Sequence, residues 1–180
     1  MTQPVARGAA ALTAFAVIAL LAACSASPTL PANAGDGGVV KHSAAPSAPA
    51  KIDISKLDAC TVLKQADAEK LIGTKLTDPL RASNPDVASC TYPGDPSGPT
   101  AQVEIYVGDG AKQQLAIDRD KLKHTFTQPT GLGDEAWAED EMIWARTGST
   151  WVSIRVVSLD DPSNFTAPLQ TAMGTALKDL

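Results

Sequence analysis

Apolar and polar residues alternate from Ala101 to Val107. Ala101, Val103, Ile105 and Val107 fall on one face, with Gln102, Glu104 and Tyr106 on the other. A period of two predicts a half-buried antiparallel strand. Val87 to Tyr92 predicts a shorter strand holding Cys90, and Pro93-Gly94-Asp95-Pro96-Ser97-Gly98-Pro99 reads as a turn-rich connection between the two. Upstream, Ala66 to Ile72 predicts a helix, with Leu63, Ala66, Lys70 and Leu71 near one face and Gly73 as its stop. Thr74 to Leu80 follows as extended chain or loop. Gly108-Asp109-Gly110 breaks the strand pattern. Ala111 to Lys123 then predicts an amphipathic helix marked by Leu115 and Leu122, seven apart, with Ile117 nearby. Gln128 to Gly133 is a loop. Glu141 to Arg146 and Trp151 to Val157 flank Thr147-Gly148-Ser149-Thr150 as a hairpin, with Val152, Ile154 and Val156 as its buried stripe. Its register stays open: a two-residue turn would set Trp144 opposite Trp151, and a three-residue turn would set it opposite Val152. Asp160-Asp161-Pro162-Ser163 opens a last helix, where Leu169, Met173 and Leu177 recur every four residues and Pro168 sits in the tolerated first turns.

The order is helix, two strands, helix, two or three strands, helix. Both halves share a helix-and-hairpin plan without a long internal repeat. Hairpins segregated from helices predict an α+β fold over residues 53–180. The expected form is an antiparallel sheet of four to five strands with about three helices packed mainly on one face and one disulfide.

The N-terminus has a different pattern. Arg7 precedes an apolar run from Ala9 to Ala23, the charged-then-apolar plan of a signal peptide. The run is short for a membrane span, which needs about 20 apolar residues. Leu21-Ala22-Ala23-Cys24 resembles the lipobox of bacterial lipoproteins. The resemblance implies a leader over residues 1–23, cleavage before Cys24, and a diacylglyceryl (palmitate-type) modification of its thiol. An uncleaved anchor or an ordinary signal peptide is the alternative. The chain has three cysteines, and an odd cysteine in an exported protein needs a reason. Lipidation of Cys24 supplies it and leaves Cys60 and Cys90 to pair where disulfides persist. Closing that loop would stabilise the fold by about 3.5 kcal/mol on the chain-entropy estimate; two buried free thiols are the alternative. Residues 24–52 are then the lipidated cysteine and a linker. Eighteen of the 27 residues from Ser25 to Lys51 are Ala, Ser, Pro or Gly, too few apolar groups to offset ordering entropy. As a coil the linker would reach on the order of 30 Å.

Charge narrows the partners. The formal net charge is −5, and loss of Arg7 with the leader would make it more negative. That balance argues against nucleic acid and against electrostatic docking of the molecule to anionic lipid. Two cysteines with only His42 and His124 in the chain make a zinc site a poor fit. Asp134, Glu135, Glu139, Asp140 and Glu141 surround Trp137. Oxygen ligands at that density could hold calcium, with Asp134, Glu135 and Asp140 as the weak metal candidates. The spacing lacks the alternating acids and central glycine of a calcium loop, so a solvated loop and strand edge is the favoured reading. Gly131 and Gly133 suit a turn better than a phosphate cradle, because the acids that follow would repel phosphate. Trp137, Trp144 and Trp151 are seven apart, an odd spacing that alternates faces on strands. An exposed Trp beside an Arg is a common binding hot spot, so Trp137, Trp151 and Arg155 form the candidate partner-binding patch. No G-x-S-x-G or H-E-x-x-H motif occurs. His124 follows Lys121-Leu122-Lys123, where a helix C-terminus favours an imidazolium over general-base work. Asn164-Phe165-Thr166 matches a glycosylation sequon that a bacterial lipoprotein would not normally use.

Two segments resemble a known family. Asp58-Ala59-Cys60-Thr61-Val62-Leu63 runs into Ala66-Asp67-Ala68-Glu69-Lys70-Leu71-Ile72-Gly73. Together they are similar to the opening of an actinobacterial lipoprotein family described only as a domain of unknown function. That family's second cysteine sits in a strand like Ser89-Cys90-Thr91-Tyr92, and its Gly-Leu-Gly-Asp-Glu-Ala segment looks like Gly131 to Ala136. Lys64 departs from the small hydroxyl residue usual at that point, which would cap the helix. The resemblance implies location and fold rather than an activity. The expected function is therefore a membrane-anchored, extracytoplasmic, non-catalytic binding or interaction module, without cofactor. Its partners are the membrane through Cys24 and an unknown envelope protein or small ligand. An envelope hydrolase using Asp134 and Glu135, or an accessory structural or signalling lipoprotein, is the alternative.

Overall fold

The computed structural model describes residues 52–180. The leader, Cys24 and most of the linker lie outside the described residues. The strands are β1 (Leu80–Ser83), β2 (Val87–Pro93), β3 (Ala101–Gly108), β4 (Glu135–Glu139), β5 (Met142–Thr147) and β6 (Thr150–Ser158). They form one antiparallel sheet in the order β1-β2-β3-β6-β5-β4. Two three-stranded meanders thus join along β3 and β6. The α+β class and the antiparallel sheet follow the expectation, but the sheet has six strands. All four residues of β1 are exposed, so that strand carries no inward-facing apolar alternation to read.

The helices are α1 (Ala59–Val62), α2 (Gln65–Ile72), α3 (Asp109–Ala116) and α4 (Thr166–Ala176). Asp58 caps α1, its Oδ1 accepting from the Cys60 amide at 2.9 Å. Gly73 ends α2 in the left-handed conformation at φ 75°. Lys64 stands at the N-cap of α2 and makes no capping bond. Its Nζ instead lies 2.6 Å from Asp179 Oδ2, close to the C-terminus. A 3₁₀ turn, Pro162–Phe165, leads into α4, and Asp161 accepts from the Ser163 amide at 2.9 Å.

One face of the sheet holds the larger core. Cys90 and Tyr92 of β2, Val103 and Ile105 of β3, and Ile154 and Val156 of β6 pack there with Val62, Leu71, Leu169 and Met173 of α1, α2 and α4. The other face carries a smaller cluster, in which Ala111 and Leu115 of α3 cover Met142, Trp144 and Trp151. The helices therefore sit mainly, but not wholly, on one face.

Cys60 in α1 and Cys90 in β2 form a disulfide with Cα atoms 5.1 Å apart. Tyr92 reinforces the same junction. Its hydroxyl is directed at the carbonyl oxygens of Cys60, at 3.2 Å, and of Leu63. Tyr92 is 1% exposed, and burial pushes its phenol up to about 12.

Two expectations need correction. The helix predicted to Lys123 is α-helical only to Ala116. A π-helical turn, Ile117–Leu122, follows and ends at Lys123 with φ 60°. Leu122 is 58% exposed and Ile117 51%, whereas Leu115 is buried. The β5–β6 hairpin has a two-residue turn, but its central residues are Gly148 and Ser149, one position later than expected. Thr147 pairs with Thr150, and Trp144 faces Ser153 rather than Trp151 or Val152. Gly148, at φ 56°, takes the first central position, where a type II′ turn requires positive φ.

Candidate functional site

α3 crosses the second face of the sheet, and a cleft of about 560 Å³ opens beside its π turn. Asp118 from the π turn, His124, Glu139, Asp140, Glu141 and Arg155 line it. Lys123 reverses the chain in the left-handed conformation, and the His124 amide donates to the Asp118 carbonyl at 3.1 Å. That reversal brings the imidazole to the last residue of β4, with His124 Nδ1 2.8 Å from Glu139 Oε2. Asp140 and Glu141 form the tight β4–β5 turn, since Glu139 pairs with Met142. Arg155 enters from β6, opposite Met142 of β5 and Glu104 of β3. Among the described residues Arg155 makes no ion pair.

Burial pushes the Glu139 carboxyl above its usual range, with His124 pulling it the other way. The volume suits a small ligand. The lining offers carboxylates to a basic group and one guanidinium to an acidic group. His124 and Glu139 stand at proton-transfer distance.

The acidic run expected around Trp137 divides between the two ends of β4. Glu135 Oε1 accepts from Trp137 Nε1 at 2.8 Å and its Oε2 from Arg146 Nε at 3.4 Å. The Trp137 bond, with help from Arg146, holds the Glu135 carboxyl below the usual range. Asp134 Oδ2 accepts from the Gly148 amide at 2.7 Å and from Arg146 Nη1 at 3.3 Å. Asp134 and Glu135 thus converge on Arg146, while Asp140 lies beyond the far end of the strand. Among the described residues no three His, Cys, Asp or Glu side chains are grouped to hold a metal. Gly131 and Gly133 both adopt positive φ, and a Cβ on Gly133 would clash with the Arg146 carbonyl oxygen. They shape the approach to β4.

The candidate patch is also redistributed. Trp151 is interior, 6% exposed. Trp137 is half-buried, with Phe126 edge-on at 6.1 Å and the Arg119 guanidinium 5.1 Å from its ring centroid. Arg155 is exposed and belongs to the cleft. The sequence reading missed Asp118, which a continuous α-helix left as an ordinary surface acid, and the His124–Glu139 contact. No spacing rule joins residues 15 apart across a π turn and a loop. No family model, curated protein or solved structure matches the chain.

Proposed function

We propose that this chain is a membrane-anchored, extracytoplasmic lipoprotein of the actinobacterial type it resembles, and that its folded domain is a non-catalytic binding module. The observation that carries the reading is the union of Cys60 with Cys90. It accounts for two of the three cysteines and leaves Cys24, at the end of the apolar run, for acylation. The cleft beside the π turn is the proposed ligand site, with Arg155, which makes no ion pair among the described residues, as its cation. Replacing Cys24→Ala tests the anchor. The wild-type chain is expected in the membrane fraction and the variant outside it or unprocessed. Equal, fully processed recovery of both in the soluble fraction would overturn the reading.

A second reading, an envelope hydrolase, draws on one observation, the His124–Glu139 contact within the cleft. Asp134 and Glu135 are poorer candidates, because Trp137 and Arg146 stabilise the ionised Glu135 and Asp134 is bonded to Arg146 and the Gly148 amide. Hydrolysis of ester, peptide or glycoside probes that is lost in His124→Ala and Glu139→Gln would favour this reading over the binding module.

A further inference from the structure

Leu122 was expected under α3 beside Leu115, as a seven-residue spacing on an α-helix requires. The π turn breaks that spacing. Its i→i+5 bonding brings residues five apart near one face, and Ile117 and Leu122 are five apart. Both are more than half exposed, so the turn presents two large apolar side chains to solvent. The charges around them run against those of the domain. Residues 52–180 carry 12 Lys and Arg against 19 Asp and Glu. Four of those cations, Lys112, Arg119, Lys121 and Lys123, fall within twelve positions that hold two acids, Asp118 and Asp120. Asp120 is paired with Arg119 at 3.0 Å, and Asp118 lines the cleft. Lys112, Lys121 and Lys123 are exposed and make no ion pair among the described residues.

We propose that the exposed side of the π turn, where Ile117 and Leu122 stand beside Lys121 and Lys123 in the chain, with Lys112 at the start of the same helix, is an interfacial contact that rests on an anionic lipid bilayer. Apolar side chains flanked by lysines on a short helical face suit that boundary. Each lysine at an anionic surface favours binding by about fivefold. The inference rests on the anchored reading above. Cys24 lies 28 residues before Ile52, a contour of about 95 Å at full extension. That tether confines the domain to the neighbourhood of the bilayer, where a contact too weak for a free protein becomes occupied. The net charge argues against docking of the molecule as a whole; this segment is the local exception.

The test uses the mature lipoprotein reconstituted in phosphatidylcholine vesicles and in vesicles containing half phosphatidylglycerol. Amine labelling of each lysine is read by mass spectrometry, with Lys70 and Lys75 of the α2 region as internal references. Labelling of Lys121 and Lys123 is expected to fall about fivefold or more in the anionic vesicles and to recover at about 0.5 M salt. Replacing Ile117→Asp together with Leu122→Asp removes no core side chain and is expected to abolish the difference. Equal labelling in both lipids overturns the proposal, as does a difference that the double variant retains. Protection seen only in native membranes also overturns it and assigns the face to a protein. The intact mass of the same sample reports acylation of Cys24. An unacylated chain that leaves the vesicles therefore contradicts the anchor, and labelling of the vesicle-bound chain tests the face.

Discussion

Tyr92 ties α1 to β2 with a buried hydroxyl aimed at two backbone carbonyls. Its phenol ionises near 10.0 when exposed and at about 12 in the fold. A folded-state value above the unfolded one means that the folded chain holds this proton more tightly. The associated stability, on the order of 3 kcal/mol, is complete below pH 10 and is lost as pH rises from about 10 to about 12. Alkaline unfolding followed by circular dichroism should begin in that window, and Tyr92→Phe should flatten the fall. The same variant is expected to lose about 1–3 kcal/mol at neutral pH, because the two carbonyls that the hydroxyl faces lose the one proton they share. Gly133 shows a different residue-scale constraint. It combines φ 63° with a closest approach to backbone, whereas Gly131, at φ 78°, has open space where a Cβ would go. Gly133→Ala should cost about 1–3 kcal/mol in urea denaturation and Gly131→Ala about 1 kcal/mol. Equal costs would mean that the contact with Arg146 is unimportant.

At the scale of elements, α3 and its π turn separate what periodicity can and cannot specify. Leu115→Ala should cost about 2–5 kcal/mol by opening the smaller core. Leu122→Ala should change stability by less than about 0.5 kcal/mol. A continuous α-helix would make both large, so the pair of measurements distinguishes the two structures. The α2 N-terminus is the second test. Lys64 has the extended conformation of a cap without a cap's side chain, and its pair with Asp179 is exposed and worth little. Lys64→Ser is expected to stabilise the domain by about 0.5–1 kcal/mol, read as a higher urea midpoint. Strands with a buried apolar stripe were legible: alternation located β3, the stripe of Val152, Ile154 and Val156 located β6, Val87 to Tyr92 read as β2, and Gly73 marked the end of α2. β1 was not legible because none of its residues is buried. β4 was obscured because Glu135, Trp137 and Glu139, on its outer alternation, read as an acidic loop. The cleft was legible only in pieces. Glu139, Asp140 and Glu141 stood out as acids, but their convergence with Asp118, His124 and Arg155 depends on a π turn and a left-handed Lys123, which the hydrophobic pattern does not encode.

At the scale of the whole molecule, three features point the same way. A covalent bond pins α1 to the centre of the first meander, the odd cysteine follows an apolar run, and a cationic apolar helix face departs from an otherwise acidic surface. The proposed function reads the first as the mark of an oxidising compartment, the second as a processed and acylated terminus, and the third as a face turned to a membrane. The intact mass of the protein extracted from membranes, measured before and after reduction, tests the account most directly. A chain beginning at Cys24 with added acyl mass, gaining two hydrogens on reduction, is the expected result. A chain that retains its leader, lacks the lipid, or shows no mass change with reductant would contradict it.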